Sequence, residues 1–149
     1  MTEKQCKMKE FLKEYLGLFE AVLEDEKEKL RNFTTFDINK INASIAKQQA
    51  NELKIANIEN KRIELQKVLG YENMTFKEII ATFDDKKEVN ELYRKVSTTV
   101  HDIKFYNQKA MELARGQIAL FETTSKGSST YSKTKQKFEN QEQIIKEKF

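Results

Sequence analysis

DDKKEVNELYRKVSTTVHDIKFYNQKAMELARGQIALFE, residues 84–122, places Val89, Tyr93, Val96, Val100, Ile103, Ala110, Ala114 and Phe121 along one line at helical spacing. Leu92, Tyr106, Leu113 and Leu120 lie beside that line. Steps of three and four repeat on one face of an α-helix and scatter to both faces of a strand, so this stretch is one long amphipathic helix. Its start is marked by Asp84 or Asp85, the latter followed three residues on by Glu88. Asn107 falls on the apolar line. A buried amide there costs stability while fixing the register between helices, so Asn107→Leu is expected to raise thermal stability and broaden the oligomer distribution. A loss of stability would instead mean a satisfied hydrogen bond that leucine cannot replace. Gly116 interrupts the pattern at a cost of about 1 kcal/mol relative to alanine, which predicts fraying or a close helix approach.

The same period extends upstream. Over residues 3–33, Met8, Leu12, Tyr15, Phe19, Val22 and Phe33 form one stripe and Leu16, Leu23 and Leu30 the adjacent one. Glu24, Asp25, Glu26, Lys27, Glu28 and Lys29 alternate in sign as a solvated helix face does. Thr34 and Thr35 end this helix, since β-branched hydroxyl residues suit caps better than interiors. A second helix opens near Asp37 and closes at Leu69, where Gly70 supplies the left-handed stop. Its apolar positions are Ile38, Ile41, Ile45, Leu53, Ile55, Ile58, Ile63, Leu65, Val68 and Leu69. Gln48, Gln49, Asn51 and Asn57 interrupt the middle, so the two ends are expected to pack better than the centre. Thr75 and Glu78 have capping-box spacing and open a short helix over residues 75–83, with Phe76, Ile79, Ile80 and Phe83 on one face.

Composition agrees with this layout. The 149 residues include no proline and four glycines, and charged residues make up 34% against 38% hydrophobic. Charged residues usually make up about a quarter of a chain. Turn-rich β-folds and Gly-looped nucleotide folds are disfavoured. The expected class is all-α, an elongated antiparallel helical hairpin or bundle of three long helices with one short helix and an amphipathic C-terminal tail. The body spans residues 1–122, a Ser/Thr/Gly linker residues 123–133, and the tail residues 134–149.

Little in the chain can do chemistry. One histidine, His101, cannot supply the paired ligands of a di-iron bundle or a zinc helix, and Cys6 has no activating base near it in sequence. Lys126-Gly127-Ser128 lacks the upstream glycine and strand of a phosphate loop. We therefore expect no enzyme, no metal and no cofactor. The formal net charge is +3, and residues 126–149 alone hold six basic and three acidic groups, so the rest of the chain is balanced. A balanced body gives no field for collecting nucleic-acid phosphates. Charged residues fill the N-terminus where a signal peptide needs an apolar run, and no apolar run is long enough to cross a membrane, which points to the cytoplasm.

The tail carries the remaining signal. Phe138, Ile145 and Phe149 recur at steps of seven and four, with Ile144 adjacent. A helix this short is marginal alone, so the tail is expected to stay disordered until its apolar edge meets a partner helix. Lys133, Lys135 and Lys137 beside Tyr131 and Phe138 could also touch nucleic acid or an anionic membrane, but the glutamates that follow and the narrow apolar edge favour a protein partner.

The order of elements resembles the FlgN family of flagellar export chaperones. The resemblance is carried by Leu18-Phe19-Glu20 through Leu30, the opening at Asp37-Ile38, the close Lys61-Arg62-Ile63-Glu64-Leu65-Gln66-Lys67-Val68-Leu69-Gly70, and Tyr106-Asn107-Gln108-Lys109-Ala110-Met111. The Ser/Thr-rich turn into Tyr131-Ser132-Lys133-Thr134 is similar to the family's C-terminal region, and the whole resemblance covers roughly residues 11–135. It implies a cytosolic chaperone, monomeric or weakly dimeric, that binds helical C-terminal ends of hook-filament junction proteins. Such a chaperone hands its clients to the flagellar type III export gate and meets the membrane only through that apparatus. Partner binding is then expected at Tyr131, Phe138, Ile144, Ile145 and Phe149. The alternative from another class is a self-associating coiled-coil adaptor.

Overall fold

The computed structural model describes residues 1–125. Four helices follow one another, α1 (Glu3–Phe33), α2 (Ile38–Leu69), α3 (Phe76–Ala81) and α4 (Lys87–Ser125), and the described residues contain no strand. The chain is all-α, as its periodicity requires.

Each boundary has a local cause. After α1, the Thr34 and Thr35 hydroxyls donate to the Arg31 and Asn32 carbonyls, both at 2.6 Å, which satisfies acceptors that the ended helix leaves open. Asp37 Oδ1 accepts from the Asn39 and Lys40 amides at 2.9 and 3.4 Å and caps α2. Between them Phe36 adopts φ +59°, a left-handed conformation that strains an aromatic residue. At the far end of α2, Gly70 has φ +80°, the Gly70 amide donates to the Lys67 carbonyl and the Tyr71 amide to the Gln66 carbonyl, the paired bonds of a Schellman stop. Thr75 Oγ1 accepts from the Glu78 amide at 3.2 Å, which realises the expected cap of α3. Asp85 Oδ1 accepts from the Lys87 amide, so α4 starts at Lys87, and it runs to Ser125, three residues into the expected linker.

The chain forms two compact units. The first comprises Met1–Ala21 and Asn51–Thr99. Its core is apolar and aromatic: Met8, Phe11, Leu12, Leu16 and Phe19 of α1 are buried, as are Ile55 and Ile58 of α2, Ile79 and Ile80 of α3, and Val89 and Val96 of α4. The Phe76 ring of α3 meets Tyr15 edge-on at 5.3 Å and stacks near Phe11 at 6.4 Å. Tyr15 Oη donates to Glu59 Oε1 at 2.7 Å, and Lys61 pairs with Glu14 at 2.8 Å. Residue numbers fall on α2 as they rise on α1, so the two segments run antiparallel within this unit.

Among the described residues, the second unit comprises Val22–Ala50 and residues 100–125. Phe33, Ile41, Ile45, Ala110, Met111, Ala114 and Ile118 cluster at its centre, with Leu30 and Leu113 packed against them. Asn32 Nδ2 donates to Ser44 Oγ at 2.8 Å and Lys47 reaches Glu28 at 3.1 Å, again an antiparallel pairing of α1 with α2.

Two expectations are corrected. Glu26 and Lys29 do not lie on a solvated face; they are 3% and 1% exposed. Positions 22, 26, 29 and 33 are successive steps of four, three and four, so helical geometry turns both residues inward with Val22 and Phe33. On α2 the ends do not simply outpack the centre. Gln48 and Asn51 are buried with Ile41, Ile45, Ile55 and Ile58, because 41, 45, 48, 51, 55 and 58 form one continuous stripe. Leu53, Ile63 and Val68 fall off that stripe and are exposed despite their apolar side chains.

Candidate partner-binding site

The second unit holds a buried polar cluster. Lys29 Nζ of α1 lies 2.6 Å from Glu26 Oε2 one turn earlier, an ion pair whose angles fall outside those of a hydrogen bond. The same ammonium donates to Asn107 Oδ1 of α4 at 2.7 Å and to Gln48 Oε1 of α2. Of the three N–H groups of an ammonium, two bond acceptors on α2 and α4, and the Glu26 carboxylate on α1 adds an ion-pair contact. Burial pushes the Glu26 carboxyl above the usual carboxylate range, and the neighbouring Lys29 charge opposes that shift only in part. Gln48 Nε2 finds no acceptor among the described residues, although it is buried. Such a cluster stabilises little in net terms, since desolvation offsets the Coulombic gain. It does specify one register, because any axial slip of α1, α2 or α4 would separate the ammonium from its acceptors.

Asn107 is on the seam, as expected, and 4% exposed. Its hydrogen bond to a buried charge reverses the expected outcome of Asn107→Leu: leucine fills the space and leaves Lys29 short of an acceptor, so stability falls. Glu26 and Lys29 were hidden in the sequence by their charge. The available signal was positional, the two empty steps between Val22 and Phe33.

Two surfaces of the described residues can receive a partner. On α4, Phe105, Leu113, Gly116 and Leu120 share an arc of roughly 80° at about 100° per residue. Phe105 is 48% and Leu120 61% exposed, Leu113 is half-buried, and a Cβ built on Gly116 would meet nothing within 4 Å. Phe105 lies off the apolar seam, so the seam pattern did not single it out. Within the first unit, an open groove of about 700 Å³ runs over Phe11 and Leu65. Lys7, Lys13 and Lys61 stand against Glu3, Glu10 and Glu14 along it, so it carries no net charge to select a partner.

The side chain of His101 is 83% exposed beside Asp102 at 3.7 Å, and Cys6 is exposed. The described residues contain no group of three or more metal-ligating side chains and no helix long and apolar enough to cross a membrane. Tyr131, Phe138, Ile144, Ile145 and Phe149, the expected partner-binding residues, lie outside the described residues. So do the linker and tail segments from residue 126 onward.

A family model described as FlgN protein matches residues 7–138. The chain belongs to the FlgN family. The match runs from the second turn of α1 through α2, α3 and α4 and continues through Tyr131 to Phe138, leaving Ile144, Ile145 and Phe149 beyond it. No curated protein and no solved structure matches the chain significantly. FlgN proteins are flagellar export chaperones, a chaperone family and not an enzyme family.

Proposed function

We propose that this FlgN protein works in the cytoplasm, binds helical C-terminal segments of flagellar hook-filament junction proteins, and delivers them to the flagellar type III export apparatus. The observation that carries the proposal is the span of the family match, residues 7–138, which joins the helical units to the start of the amphipathic tail. Phe138, Ile144, Ile145 and Phe149 form the apolar edge that meets the client helix, Tyr131 lies at its entrance, and Lys133, Lys135 and Lys137 bias the approach by charge. Burying such side chains is worth about 1.5 to 3 kcal/mol each, less what ordering the tail consumes. No cofactor or nucleic acid takes part, and the protein acts as a monomer or weak dimer.

Calorimetric titration with a junction-protein C-terminal segment tests this. Phe138→Ala with Ile145→Ala should weaken binding at least about tenfold, or about 1.4 kcal/mol, with helical content unchanged. Wild-type affinity in that variant would move the client site off the tail.

A second reading, a self-associating coiled-coil adaptor, is favoured by the exposed Leu53, Ile63 and Val68 on α2. Molecular mass measured across a concentration series separates the two: a tight oligomer at every concentration favours the adaptor.

A further inference from the structure

We propose that, when no client is bound, residues 134–149 dock antiparallel on the α4 stripe formed by Phe105, Leu113 and Leu120. This deepens the reading above and rests on it: the tail that receives the client is held on its own chain until the client displaces it. Phe105 and Leu120 on the stripe are exposed, Leu113 between them is half-buried against the unit's own core, and open space lies over Gly116. The occupant follows from chain connectivity. α4 ends at Ser125, five residues past Leu120, and residues 126–133 come next. Eight residues span up to about 27 Å, whereas packed helices lie only about 8–10 Å apart, and with Phe138 opposite Leu120, residue 134 comes opposite residue 124, at the end of α4. The turn is therefore long enough to bring the tail back over the stripe.

The spacing and the charges match in one antiparallel register. Leu113 and Leu120 are seven residues apart, as are Phe138 and Ile145, so Phe138 meets Leu120 when Ile145 meets Leu113. Phe149 then comes opposite Lys109, whose ammonium lies 5.6 Å from the Phe105 ring. In the same register Lys146 faces Glu112, and Glu142 comes alongside Arg115, opposite charges in both cases. The client segment and α4 compete for the same apolar edge, so client affinity reports the docking.

Disulfide trapping in the full chain tests this, with Cys6→Ser in every variant to remove the native thiol. One variant carries Leu120→Cys and Phe138→Cys; the control carries Leu53→Cys and Phe138→Cys, since Leu53 on α2 is as exposed, at 69%. Under glutathione disulfide at micromolar protein, the intramolecular bond should form at least about ten times faster in the α4 pair. Equal rates would overturn the docking. In a second arm, Phe105→Ser with Leu120→Ser frees the tail and should tighten binding of the junction-protein segment several-fold. Weaker binding would overturn the proposal by assigning the stripe to the client. If that segment fails to bind the wild-type chain, the chaperone reading fails, while the trapping rates still decide whether the tail docks.

Discussion

The two units solve the same packing problem with different chemistry. In the first, the α1 stripe is Met8, Leu12, Leu16 and Phe19, and rings from α1 and α3 close around Tyr15. In the second, the same stripe continues through Val22, Glu26, Lys29 and Phe33, and α4 contributes Asn107 and the small residues Ala110 and Ala114. Apolar interdigitation accepts many neighbouring arrangements at similar energy. A buried ammonium bound to three helices accepts one. We therefore expect the first unit to contribute more of the stability, and the polar cluster to add register to the second unit's own apolar core at some cost in stability.

The largest expected effect separates these two roles. Phe19→Ala should destabilise the chain by about 3–5 kcal/mol through a lost ring and the cavity it leaves, and no neighbouring substitution should restore it. Lys29→Met should cost a similar amount, about 3–5 kcal/mol, because Glu26 is left buried and unpaired. Here further substitution does restore stability: Lys29→Met with Glu26→Leu, Gln48→Leu and Asn107→Leu, which removes every acceptor along with the ammonium, should return to the wild-type value or exceed it in urea unfolding. Failure of that rescue would mean that the polar cluster stabilises the fold and is not chiefly a register device.

Asn107→Leu should cost about 1–3 kcal/mol, read as a lower urea midpoint with an unchanged slope. A gain would show that Lys29 finds another acceptor. The pH dependence is a smaller effect with a definite sign. Because the folded carboxyl of Glu26 lies above its unfolded value, the folded chain binds the extra proton between the two. Its contribution is fully present below the ordinary carboxylate range and is lost as pH rises through the raised folded value. Comparing wild type with Glu26→Gln by urea unfolding at a series of pH values should therefore show the difference moving in favour of wild type as pH falls. The opposite trend would mean that the Lys29 charge dominates burial. The smallest effect concerns the turn between α1 and α2. Phe36→Gly should stabilise by about 1 kcal/mol, since glycine adopts a left-handed φ without strain.

Much of this layout was legible in the sequence, because helix boundaries depend on local chemistry. The span of α1, the left-handed stop at Gly70 and the Thr75 cap of α3 follow from residues within a turn of each boundary. Asn107 was legible as a buried amide because its neighbours on the seam are apolar. Its partner was not. Lys29 lies in a run of alternating charges, and alternation normally marks solvent. Only the helical phase carried from Val22 to Phe33 turns it inward, and only the three-helix contact supplies acceptors that make its burial tolerable. The exposure of Leu53, Ile63 and Val68 was illegible for the converse reason: apolar type argued for burial, while the phase of α2 places them outside the stripe. In both cases position on the helix outweighed side-chain type.

Amide hydrogen exchange on the full chain, alone and saturated with a junction-protein C-terminal segment, tests the central claim most directly. The free chain should protect residues 8–19 and 55–66 more strongly than residues 22–33 and 38–50, and the segment should add protection within residues 134–149 while leaving residues 8–19 unchanged. Equal protection of the two units, with no gain in the tail on adding the segment, would contradict the account.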